Sequence, residues 1–281
     1  MFPNKHIIEM PSWHGEYKVR GIESHLLSPC HASDVWHKFA ERHQREPNSY
    51  WIGVGDLIDP TRPSTRKRKT HALADRKEAL VEDDRANEAW LRQDILPKIE
   101  KVKDRCLGLL DGDHYIEFAN GDTSTKFICD ALKIPYLGSR MAYVGLFFRR
   151  GFQTVLYKIL ARHGKGACGT VGADLNRLIA QNIRWNADCY MGGHTHQENA
   201  APVPRGDIND EFTDYKFRTQ WFIRCGAMLR GFVMGQEHYP EKKEYGPLVC
   251  GWGEIDIAIG KKHSNNNNLA IQESSGRTLA F

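Results

Sequence analysis

The sequence predicts an α/β protein, and three observations carry that prediction. Residues 19–54 read as strand, helix, strand, the opening of a βαβ unit. Segments with helical apolar spacing then alternate with short apolar runs. Finally, apolar runs that end in a tight turn followed by Asp or His recur along the chain. They are Val54-Gly55-Asp56-Leu57-Ile58-Asp59, Leu109-Leu110-Asp111-Gly112-Asp113-His114, Leu160-Ala161-Arg162-His163-Gly164 and Cys189-Tyr190-Met191 leading into Gly193-His194-Thr195-His196.

The elements follow in order. Val19 to Ile22 is a short buried strand. Asp34 to Arg45 is a helix with Val35, Trp36, Phe39 and Ala40 on one face, and Tyr50 to Val54 is the next strand. Pro60 to Thr70 carries two prolines and the cations Arg62, Arg66, Lys67, Arg68 and Lys69 with no apolar anchor, so it reads as an exposed loop. From Ala74 to Asp104, Leu80, Trp90, Leu91, Ile95, Ile99 and Val102 recur at near-helical spacing, with Pro97 set to kink the helix or start a new one. Leu107 to Leu110 is a strand and Thr125 to Leu132 a short helix. Tyr143 to Phe148 and Gln153 to Ala161 are paired strands. Asp174 to Trp185 is an amphipathic helix with Leu175, Leu178, Ile179 and Ile183 inward. Gln220 to Cys225 and Glu254 to Ile259 are late strands. One domain is expected over residues 1–262, and the polar stretch 263–281, with its Asn265 to Asn268 run, is expected to be a flexible tail.

At 281 residues and 41% hydrophobic the chain can bury one large core. A net charge of +4 is compatible with an anionic ligand without requiring one. Seven scattered cysteines without a CxxC pair argue against a disulfide framework. Met1 to Gly15 lacks the apolar stretch of a signal peptide, and the longest apolar run, near Met141 to Phe148, is too short to span a bilayer. A cytoplasmic protein with no membrane partner is expected.

The strand-end residues suit metal chemistry. Carboxylate oxygens and neutral imidazoles are the ligands of hard and borderline divalent cations. Two ions ~3.5–4 Å apart need a ligand that bridges them, and a carboxylate can do so with one oxygen for each. Asp56 is the candidate bridge. His194 and His196, with only Thr195 between them, can diverge onto different ions. His163 and Asp113 supply further donors, and His114 is placed to face a substrate. Asp59 reads as a structural or supporting residue rather than a ligand.

In this order the residues resemble the calcineurin-like metallophosphoesterases, including the nuclease branch related to Mre11. That family's pattern runs DxH, GDxxD, GNH[DE], a His followed by Gly, and GHxH. Here stand Glu23-Ser24-His25, Gly55-Asp56-Leu57-Ile58-Asp59, Gly112-Asp113-His114-Tyr115, His163-Gly164 and Gly193-His194-Thr195-His196. The resemblance implies a four-layer αββα sandwich of two mixed β-sheets flanked by helices. It implies two divalent metal ions, Mn²⁺ first, with Fe, Zn²⁺ or Ni²⁺ as alternatives. Glu23, His25, Asp56 and His196 would hold one ion, and Asp56, Asp113, His163 and His194 the other. His114 would act on the transition state or the leaving oxygen during attack by a metal-bound hydroxide.

The chain departs from the pattern in three places. Glu23 replaces Asp and is one methylene longer. Asp113 replaces Asn and adds a negative charge, which should tighten metal binding and weaken attraction for an anionic substrate. Tyr115 removes a usual supporting carboxylate, for which Asp111, on the strand just before, is the candidate to compensate. The function expected is phosphodiester hydrolysis, with DNA or RNA as partner and Arg66, Lys67, Arg68 and Lys69 as substrate contacts. Arg149, Arg150 and Arg162 are further cations without an assigned place. The rivals are a phosphomonoesterase acting on protein, nucleotides or small phosphoesters, and a catalytically silent metal-binding scaffold.

Overall fold

The computed structural model describes residues 4–12, 15–60, 77–166, 170–232, 250–261 and 269–280. They form two six-stranded sheets packed face to face. The first runs β1 (Asn4–Glu9), β6 (Met141–Arg150), β7 (Gln153–Arg162), β8 (Cys189–Gly192), β10 (Tyr215–Cys225), β9 (Glu198–Ile208). The second runs β12 (Leu269–Ala280), β11 (Gly251–Lys261), β2 (Gly15–Ile22), β3 (Ser49–Gly53), β4 (Cys106–Leu110), β5 (Tyr136–Gly138). Both sheets are mixed: β2 to β5 are mutually parallel and β11 and β12 antiparallel, while β7, β8 and β10 are parallel and flanked by antiparallel neighbours.

Apolar side chains from both sheets make the central core, among them Val19, Ile52, Val54 and Leu110 from one and Val144, Leu146, Ile159, Met191 and Ile223 from the other. The outer face of the β2–β3–β4 sheet is covered by α1 (Ser33–Arg45), α3 (Leu96–Glu100) with the turn before it, and α4 (Ser124–Leu132), through Val35, Phe39, Ile95, Ile99 and Ile128 against Trp51 and Leu109. The other sheet packs Leu160, Tyr190 and Phe222 against Leu178 of α5 (Val171–Asn182). Helix, sheet, sheet, helix is the four-layer order expected. β3 is buried at every position, as a strand covered on both faces must be.

The long helical stretch resolves into α2 (Lys77–Trp90), a π-helical turn (Leu91–Ile95) and α3, with Pro97 in the first turn of α3. Proline has no N–H to give and crowds the carbonyl four residues back, so the hydrogen-bond spacing changes just ahead of it. Two expectations differ from the structure. α5 ends at Asn182, which turns Ile183 outward, 46% exposed, instead of onto the core. Residues 269–280, expected within a flexible tail, form β12 and pair with β11 along its length. Arg277 of β12 donates to Glu254, and Gly276 lies so close to Trp221 that a side chain there would crowd the indole. The polar residues of an edge strand mask its pairing, since only one side of its ladder is filled. Strands β1, β5 and β9 are further elements that the sequence pattern does not mark. Among the described residues no helix is long and apolar enough to cross a membrane.

α1 turns Val35, Trp36, Phe39 and His43 inward at helical spacing. His43 Nε2 donates to the Asp104 carbonyl at 2.7 Å. Burial, outweighing that bond, lowers its pKa from 6.5 to about 4. A histidine that folds neutral stabilises fully above its unfolded pKa, and that contribution is lost as pH falls from 6.5 toward 4. The midpoint of thermal unfolding should therefore drop between about pH 7 and pH 4, and His43→Gln should flatten that part of the profile. An unchanged slope would assign the acid sensitivity elsewhere.

Candidate metal centre

The parallel strands β2, β3, β4, β7 and β8 all deliver their carboxyl-terminal loops to one place, where α/β sheets commonly bind ligands. The loop after β2 brings Glu23 and His25, that after β3 brings Asp56, and that after β4 brings Asp113 and His114. His163 follows β7, and His194 and His196 follow β8. All eight side chains predicted from the sequence to form the metal and catalytic site meet here.

The backbone is bent hard to achieve this. His25, Asp56, His194 and His196 have φ of +48°, +47°, +76° and +55°. Each costs roughly 1–2 kcal/mol for a residue with a Cβ, so the surroundings must hold them. The His25 amide donates to the Asp56 carbonyl at 2.9 Å, and the Asp56 amide to the Asp111 carbonyl at 3.1 Å. Asp56 Oδ1 accepts from the amides of Asp113 at 2.5 Å and His114 at 2.8 Å. Gly112 makes that approach available: its φ is +83° and a Cβ would collide with the Asp56 carboxylate and amide. Glu23 is wholly buried and accepts from the His194 amide at 2.5 Å, tying the first loop to the last.

The donor atoms form two tight sets. Glu23 Oε1, His25 Nε2 and His196 Nε2 make a triangle with sides of 3.1, 3.1 and 3.2 Å. In the other, His163 Nε2 lies 3.2 Å from Asp56 Oδ2, 3.3 Å from Asp113 Oδ2 and 3.2 Å from His194 Nδ1, which is itself 3.1 Å from Asp113 Oδ2. Two donors bound ~2.0–2.2 Å from one ion, at octahedral to tetrahedral angles, stand ~2.8–3.6 Å apart. Every spacing falls in that window. Neutral imidazole nitrogens turned on one another are also poor neighbours unless a proton or a cation lies between them. His163 Nδ1 donates to the Val54 carbonyl at 3.1 Å, which turns Nε2 inward, where an ion could take the place of its proton, the arrangement usual for a metal-binding histidine. The residues present therefore fit a divalent ion in each set. Asp56 joins them, being grouped with His163 and His194 on one side and with His25 and His114 on the other. It does so differently from the expectation of one oxygen per ion: Oδ1 is taken by two amides, and Oδ2 alone is turned inward.

The electrostatics follow from this crowding. Burial works against ionising Glu23, but its hydrogen bonds with His196 and His25 hold it well below the usual carboxylate range. Asp113 is held low by His163 and His194, with Arg140 adding to the effect. Burial likewise opposes a charge on His163, yet its bonds to Asp113 and Asp56 raise it to about 10. His114 is 47% exposed at the mouth. Its Nδ1 bonds to Asp59 at 3.1 Å, which lifts the ring to about 9, and its Nε2 stands 3.9 Å from Asp56 Oδ2. Asp59 thus orients His114, a role its place in the Gly55-to-Asp59 segment hinted at. Asp111 does not replace the carboxylate lost at Tyr115, because its oxygens accept from Thr123 at 2.6 Å and Tyr136 at 2.7 Å, away from the donor sets.

A further support is invisible in the sequence. Asp174 of α5 accepts from Thr195 Oγ1 at 2.9 Å and pairs with Arg224 of β10 at 2.8 Å. Arg224 Nη1 donates to the Gly193 carbonyl at 3.0 Å. This buried pair grips the Gly193-to-His196 turn from both ends, but its members come from segments 50 residues apart that carry no shared motif. Arg66, Lys67, Arg68 and Lys69 lie outside the described residues. Arg149 and Arg150 stand at the far end of β6, roughly 30 Å from its site end at strand spacing. Arg162 donates to the Gln181 carbonyl beside α5.

Asp174→Ala should weaken metal binding about 10–100-fold, because it frees the turn that carries two imidazoles. It should also destabilise the protein by about 3–5 kcal/mol, because it strands Arg224 in the interior. Isothermal titration with Mn²⁺ and denaturant unfolding measure the two effects, and unchanged metal affinity would show the turn holds without the clamp.

No protein-family model matches the chain, and no curated protein matches it in sequence. Solved structures do. Vps29 from Chaetomium thermophilum superposes with a TM-score of 0.36 at 13% identity, over 93% of this chain and 97% of that one. A predicted phosphoesterase from Streptococcus pneumoniae gives 0.33 at 10%, over 94% and 99%. Vps29 from Entamoeba histolytica, complexed with Zn²⁺, gives 0.36 at 10%, over 94% and 98%. The chain itself is a sandwich of two mixed sheets between helices, with the Asp, Glu and His residues of its strand-end loops gathered at one end.

Proposed function

We propose that this chain is a two-metal phosphoester hydrolase, acting on phosphodiesters of nucleic acid. The observation that carries the reading is the pair of donor sets joined at Asp56, with His114 standing over them at the mouth. In this reading Glu23, His25, Asp56 and His196 hold one divalent ion, and Asp56, Asp113, His163 and His194 hold the other. Mn²⁺ is the ion expected, with Fe, Zn²⁺ and Ni²⁺ compatible with the same nitrogen and oxygen donors. Two such ions supply Lewis acidity toward the phosphoryl oxygens and lower the pKa of an attacking water.

The protein's own residues do the rest. His114, kept protonated by Asp59, is positioned to hydrogen-bond a phosphoryl oxygen or to give its Nε2 proton to the leaving oxygen. The amides of Asp113 and His114 are engaged by Asp56, so they fix the His114 backbone rather than bind substrate. The preference for nucleic acid rests on the basic run that follows the Asp56 loop in sequence, where Arg66, Lys67, Arg68 and Lys69 would meet phosphates flanking the scissile one.

Metal-stripped protein supplied with Mn²⁺ should hydrolyse bis-p-nitrophenyl phosphate. His114→Ala should lower kcat by about 10²–10⁴ with metal binding retained. Asp56→Asn should lose both turnover and the second ion. Stoichiometric Mn²⁺ without diester turnover would sink the diesterase, and a monoester substrate would then separate a phosphomonoesterase from a silent metal-binding scaffold. For the nucleic-acid preference, neutralising Arg66, Lys67, Arg68 and Lys69 together should weaken DNA or RNA binding and flatten its dependence on salt. Binding unchanged at every salt concentration would remove the run from the substrate site.

A further inference from the structure

Asp113 is a liability in the charge balance of the centre. Where the resembling family places a neutral amide, this chain places a carboxylate whose Oδ2 sits 3.3 Å from His163 Nε2 and 3.1 Å from His194 Nδ1. A third carboxylate, beside Glu23 and Asp56, repels any anion that approaches the site. The other oxygen of Asp113 is not free. Arg140 Nη2 donates to Oδ1 from the opposite side.

The position of Arg140 is itself fixed by the centre. It stands at the corner between β5 and β6, where the Gly112 amide donates to the Ser139 carbonyl at 3.2 Å and the His163 amide to the Arg140 carbonyl at 3.0 Å. Those bonds tie the corner to the two loops that carry Asp113 and His163. The Arg140 side chain is 41% exposed, so its guanidinium meets both the carboxylate and solvent.

We propose that Arg140 is the charge-balancing partner of Asp113: it offsets the carboxylate that replaces an amide, and so preserves the site's affinity for a phosphoryl anion. The inference rests on the metal-centre reading. A guanidinium on Oδ1 leaves Oδ2 as a ligand oxygen while returning the local charge to what an amide would leave. Arg140 is in these terms a specificity-determining residue, and its effect on anions should depend on what stands at position 113.

The test is a double-mutant cycle read by calorimetry, with Mn²⁺ and then inorganic phosphate as probes. Metal-stripped wild type, Arg140→Ala, Asp113→Asn and the double variant are titrated with Mn²⁺, then each metal-loaded protein with phosphate. Arg140→Ala should weaken phosphate about tenfold and tighten Mn²⁺, since Asp113 becomes an uncompensated anion. Asp113→Asn should weaken Mn²⁺ but change phosphate affinity by less than about threefold, since it removes the carboxylate and, with it, the bond that holds Arg140 over the site. The double variant should bind phosphate within about threefold of wild type, because both charges are gone. Arg140→Lys should retain more phosphate affinity than Arg140→Ala, which excludes a packing defect as the cause. If removing Arg140 costs the same phosphate affinity with and without the Asp113→Asn substitution, or costs none in either case, the pairing is overturned while the metal centre stands. Wild type that takes up no Mn²⁺ would overturn the metal-centre reading, and the pairing with it.

Discussion

The rest of the site depends on how Asp56 is bound. Its amide donates to the loop after β4, its carbonyl accepts from the loop after β2, and its Oδ1 gathers two more amides from the β4 loop. Three neighbouring strands are thereby locked in relative height by one residue. What remains of its carboxylate, Oδ2, faces His163 from the opposing sheet. The face-to-face packing of the sheets is therefore what completes the centre. A shift of one sheet across the other would separate His163, His194 and His196 from Glu23, His25, Asp56 and Asp113 without disturbing either sheet internally.

Two buried ion pairs brace the arrangement from opposite sides. Arg20 of β2 and Glu254 of β11 are both fully buried and bonded at 2.6 Å, with Glu46 beyond α1 and Arg277 of β12 completing their charges. Arg224 and Asp174 do the same beneath the His194 turn. Such pairs seldom add net stability over apolar packing, but breaking one leaves an interior charge that is costly. Their effect here is geometric: each joins elements distant in sequence and makes their register hard to change.

Much of this is legible in the sequence, and the part that is not has a common cause. The strands that lead into Asp56, Asp113, His163 and His194 announce themselves because a buried parallel strand must be apolar and its turn must carry Gly or a ligand. The eight candidate residues that the loops bring together are readable for the same reason, each being tied to a local pattern. β9 and β12 are not readable, because an edge strand with a solvent face can be built from Pro, Ser, Gln and Glu as easily as from Val and Ile. Asp174, Arg224 and Arg140 are equally hidden. Their roles exist only between segments, and no spacing within one segment encodes them. Ile183 misleads because helical periodicity cannot say where a helix stops.

The positive backbone angles at His25, Asp56, His194 and His196 bear on how the protein would choose its metal. Each candidate ligand is aimed by bonds from its own chain: Glu23 by the His194 amide, His163 by the Val54 carbonyl, the His194 turn by Arg224 and Asp174. The distortion is therefore borne by folding rather than by ion capture. A centre built this way is rigid before it is filled, unlike small domains that fold around their ion. Rigidity of that kind discriminates weakly among cations of similar radius, and the identity of the resident ion would then follow the supply in its surroundings more than the shape of the cage.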